Sequence, residues 1–398
     1  MAENEKKIGV IMSGGGARAA YQVGVLKALA RILPPGIPNP FPIICGTSAG
    51  AINAASLAVY ANSFQQAVRR LERVWGNFHV QQVFRADTVN MLRNSAKWLS
   101  ALVLGGMGRN NPTSLLDRQP LMQLLTRYLP CERIQQAIDA GWLHALSISV
   151  SGYTSGQSVS FYQGVPGIVP WKRATRVGCP ATIGVEHLMA SSAIPFVFDA
   201  VKIHREYFGD GSMRQMAPIS TALHLGADKV LVIGVRQELN SQPERTAENA
   251  EYPSLAQIGG HVLSSIFLDA LEGDLERQNR INETVRLIPL AEHAKGGGRT
   301  VHLRPVETLL IAPSQNLGEI ALRHKQQFPR GVRYLLRGVG AWRRGGGDML
   351  SYLLFEKPYC RELIELGYHD AMVRRAEIEA FFRDAPSAPE QGTIRESP

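Results

Sequence analysis

Phe41-Pro42-Ile43-Ile44-Cys45-Gly46-Thr47-Ser48-Ala49-Gly50-Ala51-Ile52-Asn53-Ala54-Ala55-Ser56-Leu57-Ala58 is the stretch that decides the fold. Its apolar opening predicts a strand up to Cys45, and the small residues after Gly50 predict a helix. Between them, Gly46-Thr47-Ser48-Ala49-Gly50 matches G-x-S-x-G in the strand–turn–helix context that a nucleophile elbow requires. Such a turn pushes the serine hydroxyl out at its tip, in strained backbone geometry. Gly46 and Gly50 remove the Cβ atoms that would clash with neighbouring backbone. A helix starting at Ser48 aims its free N–H groups and the positive end of its dipole at a reacting carbonyl.

Working outward, residues 7–13 (Lys-Ile-Gly-Val-Ile-Met-Ser) read as a buried strand. Gly14-Gly15-Gly16 turns that strand into a helix over 17–33, with Tyr21, Val25, Leu26 and Leu29 at helical spacing and Pro34-Pro35-Gly36 as its stop. Strand, helix, strand and helix within the first 60 residues predict an α/β protein with a parallel sheet. Further strands are expected at 145–150 and 230–235. A hairpin at 201–208 delivers Gly209-Asp210-Gly211, and a helix is opened by Pro218 and closed by Gly226. Residues 64–78 form an amphipathic helix. Residues 80–111, with Trp98 to Met107 as the longest apolar stretch, read either as a lid or lipid-entry surface or as core helices. Residues 237–251 and 293–299 read as loops. The expected organisation is a catalytic domain at 8–235, an extension packed on it at 236–383, and a disordered tail at 384–398, rich in Ala, Pro, Glu and Ser.

At 398 residues the chain can bury a full core, and 45% hydrophobic with 19% charged residues is ordinary for a soluble globular protein. Four scattered cysteines with no paired spacing argue against a disulfide framework or a zinc site and fit a reducing compartment. No apolar run reaches the roughly 18–20 residues of a membrane span, and the start lacks a signal-peptide pattern. The expected location is therefore cytoplasmic, with peripheral contact at the inner membrane surface as an option. The net charge of +9 favours an anionic partner. From 320 to 347 there is no acidic residue, while Arg323, Lys325, Arg330, Arg333, Arg337, Arg343 and Arg344 interleave with Phe328, Tyr334 and Trp342. This reads as a phospholipid-surface patch or as a solvated helix face with its aromatics in the core.

The glycine loop and Ser48 follow strands expected to be neighbours, so both lie at the carboxyl edge of one sheet. Three glycines let backbone N–H groups point into a cleft as oxyanion donors. The loop also loosely matches a dinucleotide fingerprint, but that fold needs an acid about 20 residues on. Between Glu5 and Glu72 there is no Asp or Glu, and no Gly-Lys-Ser/Thr closes the turn as a phosphate-binding P-loop would. For the base, His187, His204, His224, His261, His293, His302, His324 and His369 are available, none in an obvious catalytic loop. Asp210, between two glycines after a strand, reads as a carboxylate exposed at a loop tip; the alternative is an ordinary Asp-Gly hairpin turn.

Together, Gly14-Gly15-Gly16-Ala17-Arg18, Gly46-Thr47-Ser48-Ala49-Gly50, Ala190-Ser191-Ser192-Ala193-Ile194-Pro195 and Asp210-Gly211 resemble the patatin-like phospholipase family, over about residues 8–235. The resemblance implies a three-layer α/β/α fold with a mostly parallel central sheet, and a mainly helical C-terminal extension follows it here. It implies a lipid acyl hydrolase of phospholipase A type, using a Ser48–Asp210 dyad without histidine and an acyl-enzyme. Gly14, Gly15, Gly16 and Arg18 fall to the oxyanion hole, Gly46 and Gly50 to the elbow, and Gly211 to support of Asp210. Arg18 would stand near the developing charge or a substrate phosphate, the alternative being a helix-surface salt bridge. The implied partner is phospholipid or another acyl ester, with contact to anionic membrane, no cofactor, no metal and no nucleic acid. Two positions depart from the pattern: Ala19 stands where the family has Gly, and Ser212 follows Asp210-Gly211 where Gly or Ala is usual. Ser212 has a hydroxyl that would donate to Asp210 and lower its basicity. The competing readings are a Ser-His-Asp carboxylesterase or thioesterase, and a non-catalytic scaffold that binds membrane lipid.

Overall fold

Strand β1 (Ile8–Met12) and β2 (Ile43–Thr47) lie side by side and parallel, from Gly9 opposite Ile43 to Met12 opposite Gly46. Both are fully buried, which is why they read as continuous apolar runs rather than as alternating ones. A computed structural model describes residues 6–85, 114, 116–237, 252–287, 304–342 and 345–383. The expected lid or core segment (most of 80–111), the loops at 237–251 and 293–299 and the 384–398 tail lie wholly or almost wholly outside the described residues, as do Arg343 and Arg344.

The remaining strands are β3 (Ala145–Gly152), β4 (Ser158–Gly164), β5 (Trp171–Lys172), β6 (Arg176–Pro180), β7 (Val201–Ile203), β8 (Glu206–Asp210), β9 (Lys229–Ile233) and β10 (Glu307–Ile311). They form one sheet in the order β10-β9-β1-β2-β3-β4-β6-β5. The run from β10 to β3 is parallel throughout, whereas β4, β5, β7 and β8 bring antiparallel pairings. Among the described residues the helices are α1 (Ala20–Ile32), α2 (Ala49–Val59), α3 (Phe64–Trp75), α4 (Gln119–Tyr128), α5 (Arg133–Asp139), α6 (Val185–Ser191), α7 (Pro218–His224), α8 (Leu255–Leu287), α9 (Leu317–Arg323), α10 (Arg330–Gly338), α11 (Gly347–Leu353), α12 (Lys357–Val373) and α13 (Arg375–Phe382).

Successive residues of β1 point to opposite faces, and the two faces bury different helices. Ile8, Val10 and Met12 join the larger core with α1, α2 and α3, while Ile11 joins a smaller one with Ile219 and Ala222 of α7 and Leu271 and Leu275 of α8. The result is an α/β/α arrangement with a mostly parallel sheet, as expected.

The extension is mainly helical, as expected, and it also adds one strand to the sheet. Its β10 lengthens the sheet beside β9, with Leu309 opposite Leu231. Helix α12 packs so closely on α1 that a Cβ at Gly24 would stand 2.0 Å from the Ile364 carbonyl oxygen. Tyr21 of α1 donates to Asp370 of α12 at 3.1 Å. Among the described residues no helix is long and apolar enough to cross a membrane.

Candidate active site

Ser48 is the single residue between the end of β2 and the start of α2, and its backbone sits at φ 55° and ψ −128°. A residue with a side chain at positive φ carries strain of about 1–3 kcal/mol, which the surroundings must hold. The holding groups are visible. The Ser48 amide donates to Ser191 Oγ at 2.8 Å, and that hydroxyl donates to the Ser149 carbonyl at 2.7 Å. Tight packing explains the two elbow glycines: a Cβ at Gly46 would lie 2.6 Å from Ala54 Cβ, and one at Gly50 would lie 2.3 Å from the Met12 carbonyl oxygen.

Asp210 reaches Ser48 because of how β3 is shared. One edge of β3 pairs with β4 along residues 145–151. On the other edge β2 stops at Thr47 opposite Ser149, and β8 takes over with Asp210 opposite Val150. The end of β8 thus meets the end of β2, which brings Asp210 beside Ser48. Ser48 Oγ donates to Asp210 Oδ2 at 2.6 Å. The expectation of a carboxylate exposed at a loop tip is corrected: Asp210 has no solvent exposure, because β8 is sealed into the sheet. The tip of the hairpin lies instead near His204, at φ 53°.

Burial, which disfavours the charged form, pushes the Asp210 pKa up from 3.8 to about 6, against the hydrogen bonds from Ser48 and Ser212 and the charge of Arg118. Ser212 contributes through its amide, which donates to Asp210 Oδ1 at 2.9 Å; its hydroxyl makes no hydrogen bond of normal geometry among the described residues. Gly211 is buried against β3, where a Cβ would fall 2.1 Å from the Ser149 carbonyl oxygen. Among the described residues no histidine hydrogen-bonds Ser48 or Asp210: His187 faces Gly184 and Glu186, His224 faces Ser220, and His324 faces Glu362.

The loop after β1 carries Gly14, Gly15 and Gly16 into a short 3-10 turn, Gly16–Ala19. Among the described residues the amides of Gly15 and Gly16 donate no hydrogen bond, which leaves both available. Gly16 and Ser48 line one cavity of about 160 Å³, whose walls are mostly apolar and include Ile52, Leu125, Phe198 and Phe355. Arg18 does not line it. Its guanidinium turns to the extension, donating to Ser351 Oγ at 2.6 Å and to Asp348 Oδ1 at 2.8 Å. The salt-bridge alternative thus describes Arg18 better than the oxyanion one, except that Arg18 is buried rather than on a surface.

The glycine-loop motif, the strained serine and the buried aspartate fall within the residues, 10–223, that match the family model described as patatin-like phospholipase. The chain belongs to that family. No curated protein is significantly similar to the patatin-like chain in sequence. Among solved structures it is similar to VipD from Legionella pneumophila, at 13% identity and a TM-score of 0.35, over 94% of this chain and 67% of that one. Membership places the chain among lipid acyl hydrolases. Among its described residues no cluster of His, Cys, Asp or Glu is arranged to hold a metal ion.

Three supports of this patatin-like site escaped the sequence reading. Gln22 donates to the Ser13 carbonyl at 2.8 Å; Asn53 donates to Gln22 at 2.9 Å and to the Ala19 carbonyl at 3.2 Å, and accepts from the Trp75 indole at 2.8 Å. This buried chain ties the glycine loop to α1, α2 and α3. The available signal was a lone amide on each of two otherwise apolar helix faces. Arg118, buried ahead of α4, donates to the carbonyls of Met189 and Asp199, and its pKa falls to about 10 through burial. Ser191 carries the Ser48 amide, and its place in Ala190-Ser191-Ser192-Ala193 was noticed without a role.

Proposed function

We propose that the chain is a metal-independent serine esterase of phospholipase A type that cleaves acyl esters of lipids through an acyl-enzyme. The observation that carries this reading is the 2.6 Å contact from Ser48 Oγ to a buried Asp210, beside an apolar cavity. Asp210 takes the Ser48 proton as Oγ bonds to the ester carbonyl carbon. The carbonyl oxygen becomes an oxyanion, which the free amides of Gly15 and Gly16 stabilise, each donor being worth about 3–4 kcal/mol in such sites. Collapse breaks the bond to the alcohol, which leaves with the proton held by Asp210. Water then gives a proton to Asp210 while its oxygen attacks the acyl carbon, and the fatty acid departs with Ser48 restored. A pKa near 6 suits this role: Asp210 is ionised at neutral pH, yet far more basic than an exposed carboxylate.

A second element of the proposal is contact with an anionic membrane surface. Helix α10 exposes Arg330, Arg337 and Leu335 with Tyr334, which is 79% accessible, and the facing start of α8 exposes Leu255 and Ile258. The Ala256 amide donates to the Val339 carbonyl, which joins the two patches. Apolar side chains among arginines fit the interface of an anionic bilayer. Phe328 is core and Arg323 pairs with Glu362, so only part of the basic stretch is available for this.

Ser48→Ala and Asp210→Asn each abolish hydrolysis of a short-chain p-nitrophenyl ester, with the cooperative unfolding transition retained. The wild type labels with a fluorophosphonate, and Ser48→Ala does not. Substantial turnover by Asp210→Asn with loss in a single His→Ala variant would establish the triad enzyme instead. A wild type that never labels yet sediments with anionic vesicles would be the lipid-binding scaffold.

A further inference from the structure

We infer that the extension completes the active site: Arg18, clasped by Asp348 and Ser351 of α11, is a positioning residue that fixes the glycine loop. This rests on the esterase reading for its consequence in catalysis, though the clasp stands on geometry alone. The loop and α11 touch through backbone first. Gly16 sits at φ 56°, and a Cβ there would fall 2.3 Å from the Tyr352 carbonyl oxygen, so only glycine allows α11 to come this close. Two residues on, Arg18 is 3% exposed and, among the described residues, its side chain donates to α11: Nε to Ser351 Oγ, Nη2 to Asp348 Oδ1 at 2.8 Å and to the Asp348 carbonyl at 3.5 Å. Its guanidinium also lies 4.2 Å from the centre of the Tyr352 ring.

Helix α11 is itself anchored from behind, since a Cβ at Gly347 would lie 2.5 Å from the Gly318 carbonyl oxygen of α9. Tyr352 then lines the Ser48 cavity together with Gly16. One wall of the cavity and the anchor of the loop therefore come from a segment more than a hundred residues beyond the stretch that matches the family model. A buried guanidinium is costly without its counter-charge. Removing Asp348 leaves Arg18 to seek water, and the two glycine amides move with it. In preorganised sites a displacement of about 1 Å costs about a hundredfold in rate.

The test compares the wild type with Arg18→Ala, Asp348→Ala, the double variant, and Glu365→Gln as a control that breaks an exposed extension–core pair to Lys27. Asp348→Asn stands in where the alanine variant fails to fold. Two readouts are taken: kcat and KM on a short-chain p-nitrophenyl ester, and hydrogen exchange of the peptide spanning residues 13–18. Asp348→Ala lowers kcat at least tenfold with KM within twofold, and speeds exchange of that peptide at least tenfold. The double variant is no worse than Arg18→Ala within twofold, and Glu365→Gln matches the wild type. Loss in Arg18→Ala with none in Asp348→Ala would mean that Arg18 meets the substrate itself, and overturns the inference. Unchanged exchange in Asp348→Ala overturns it whatever kcat does, and faster exchange with unchanged kcat overturns the positioning role. A wild type that neither turns over ester nor labels with a fluorophosphonate refutes the esterase reading instead, and the exchange rates alone then decide the clasp.

Discussion

Replacing Asp210 by asparagine should stabilise the folded protein while abolishing its activity, and the gain should depend on pH. The carboxyl is fully buried, and its pKa rises from 3.8 to about 6 on folding. The folded state thus holds its proton more tightly than the unfolded chain. Stability from this group is fully present below about pH 4 and is lost as pH rises through about 6. At about 1.4 kcal/mol for each tenfold in proton affinity, the loss is about 3 kcal/mol. Asparagine has no charge to bury and can keep both contacts, its oxygen accepting from the Ser212 amide and its NH2 group donating to Ser48 Oγ. Urea unfolding of both proteins at pH 4 and pH 8 measures the effect. The asparagine variant should match the wild type at the lower pH and exceed it by about 3 kcal/mol at the higher one. A difference that is the same at both pH values would show that Asp210 does not carry a raised pKa, and the argument for it as the base would go with it.

The same group sets the rate profile: kcat/KM should rise tenfold per pH step below about 6 and level off above it, because only the ionised carboxylate accepts the Ser48 proton. A profile flat from pH 5 to 8 would contradict that. Asn53→Leu should cost about 3–5 kcal/mol in urea unfolding, since it takes away the partner of the buried Trp75 indole and of Gln22 Oε1 and one donor to the Ala19 carbonyl; a cost under about 1 kcal/mol would show the chain of amides to be dispensable. Arg330→Gln with Arg337→Gln and Tyr334→Ala should weaken sedimentation with anionic vesicles at least fivefold, more so at low salt. Binding unchanged at every ionic strength would remove α10 from the membrane reading.

What could be read from the sequence was what local pattern encodes. The elbow, the glycine loop and the parallel pair β1–β2 follow from apolar runs punctuated by glycine and proline, each within a window of some 20 residues. The helix opened by Pro218 and the strand after Gly226 follow the same rules. What could not be read depends on contacts far apart in the chain. The burial of Asp210 is decided by β8 taking the free end of the β3 edge, about 60 residues away, and nothing around Gly209 announces it. The partners of Arg18 lie about 330 residues on. Strand β10 was missed because it is a short edge strand that begins with an exposed Glu307 and so lacks the unbroken apolar run of β1 and β2.

Two features of the site work against stability, and they are the two that the proposed chemistry needs. Ser48 is held at a positive φ so that its hydroxyl stands clear of the sheet edge, and Asp210 is held without solvent so that it can act as a base. Together they cost several kcal/mol, a large fraction of the roughly 5–15 kcal/mol by which domains are stable. They persist because each is fastened to a part of the fold that is not strained: Ser48 through Ser191 to β3, Asp210 through its pairing with Val150 and its bond from the Ser212 amide. Ser48 lines the apolar cavity and Asp210 does not, so it is the enclosure of β8 in the sheet that keeps the proposed base out of water and raises its pKa.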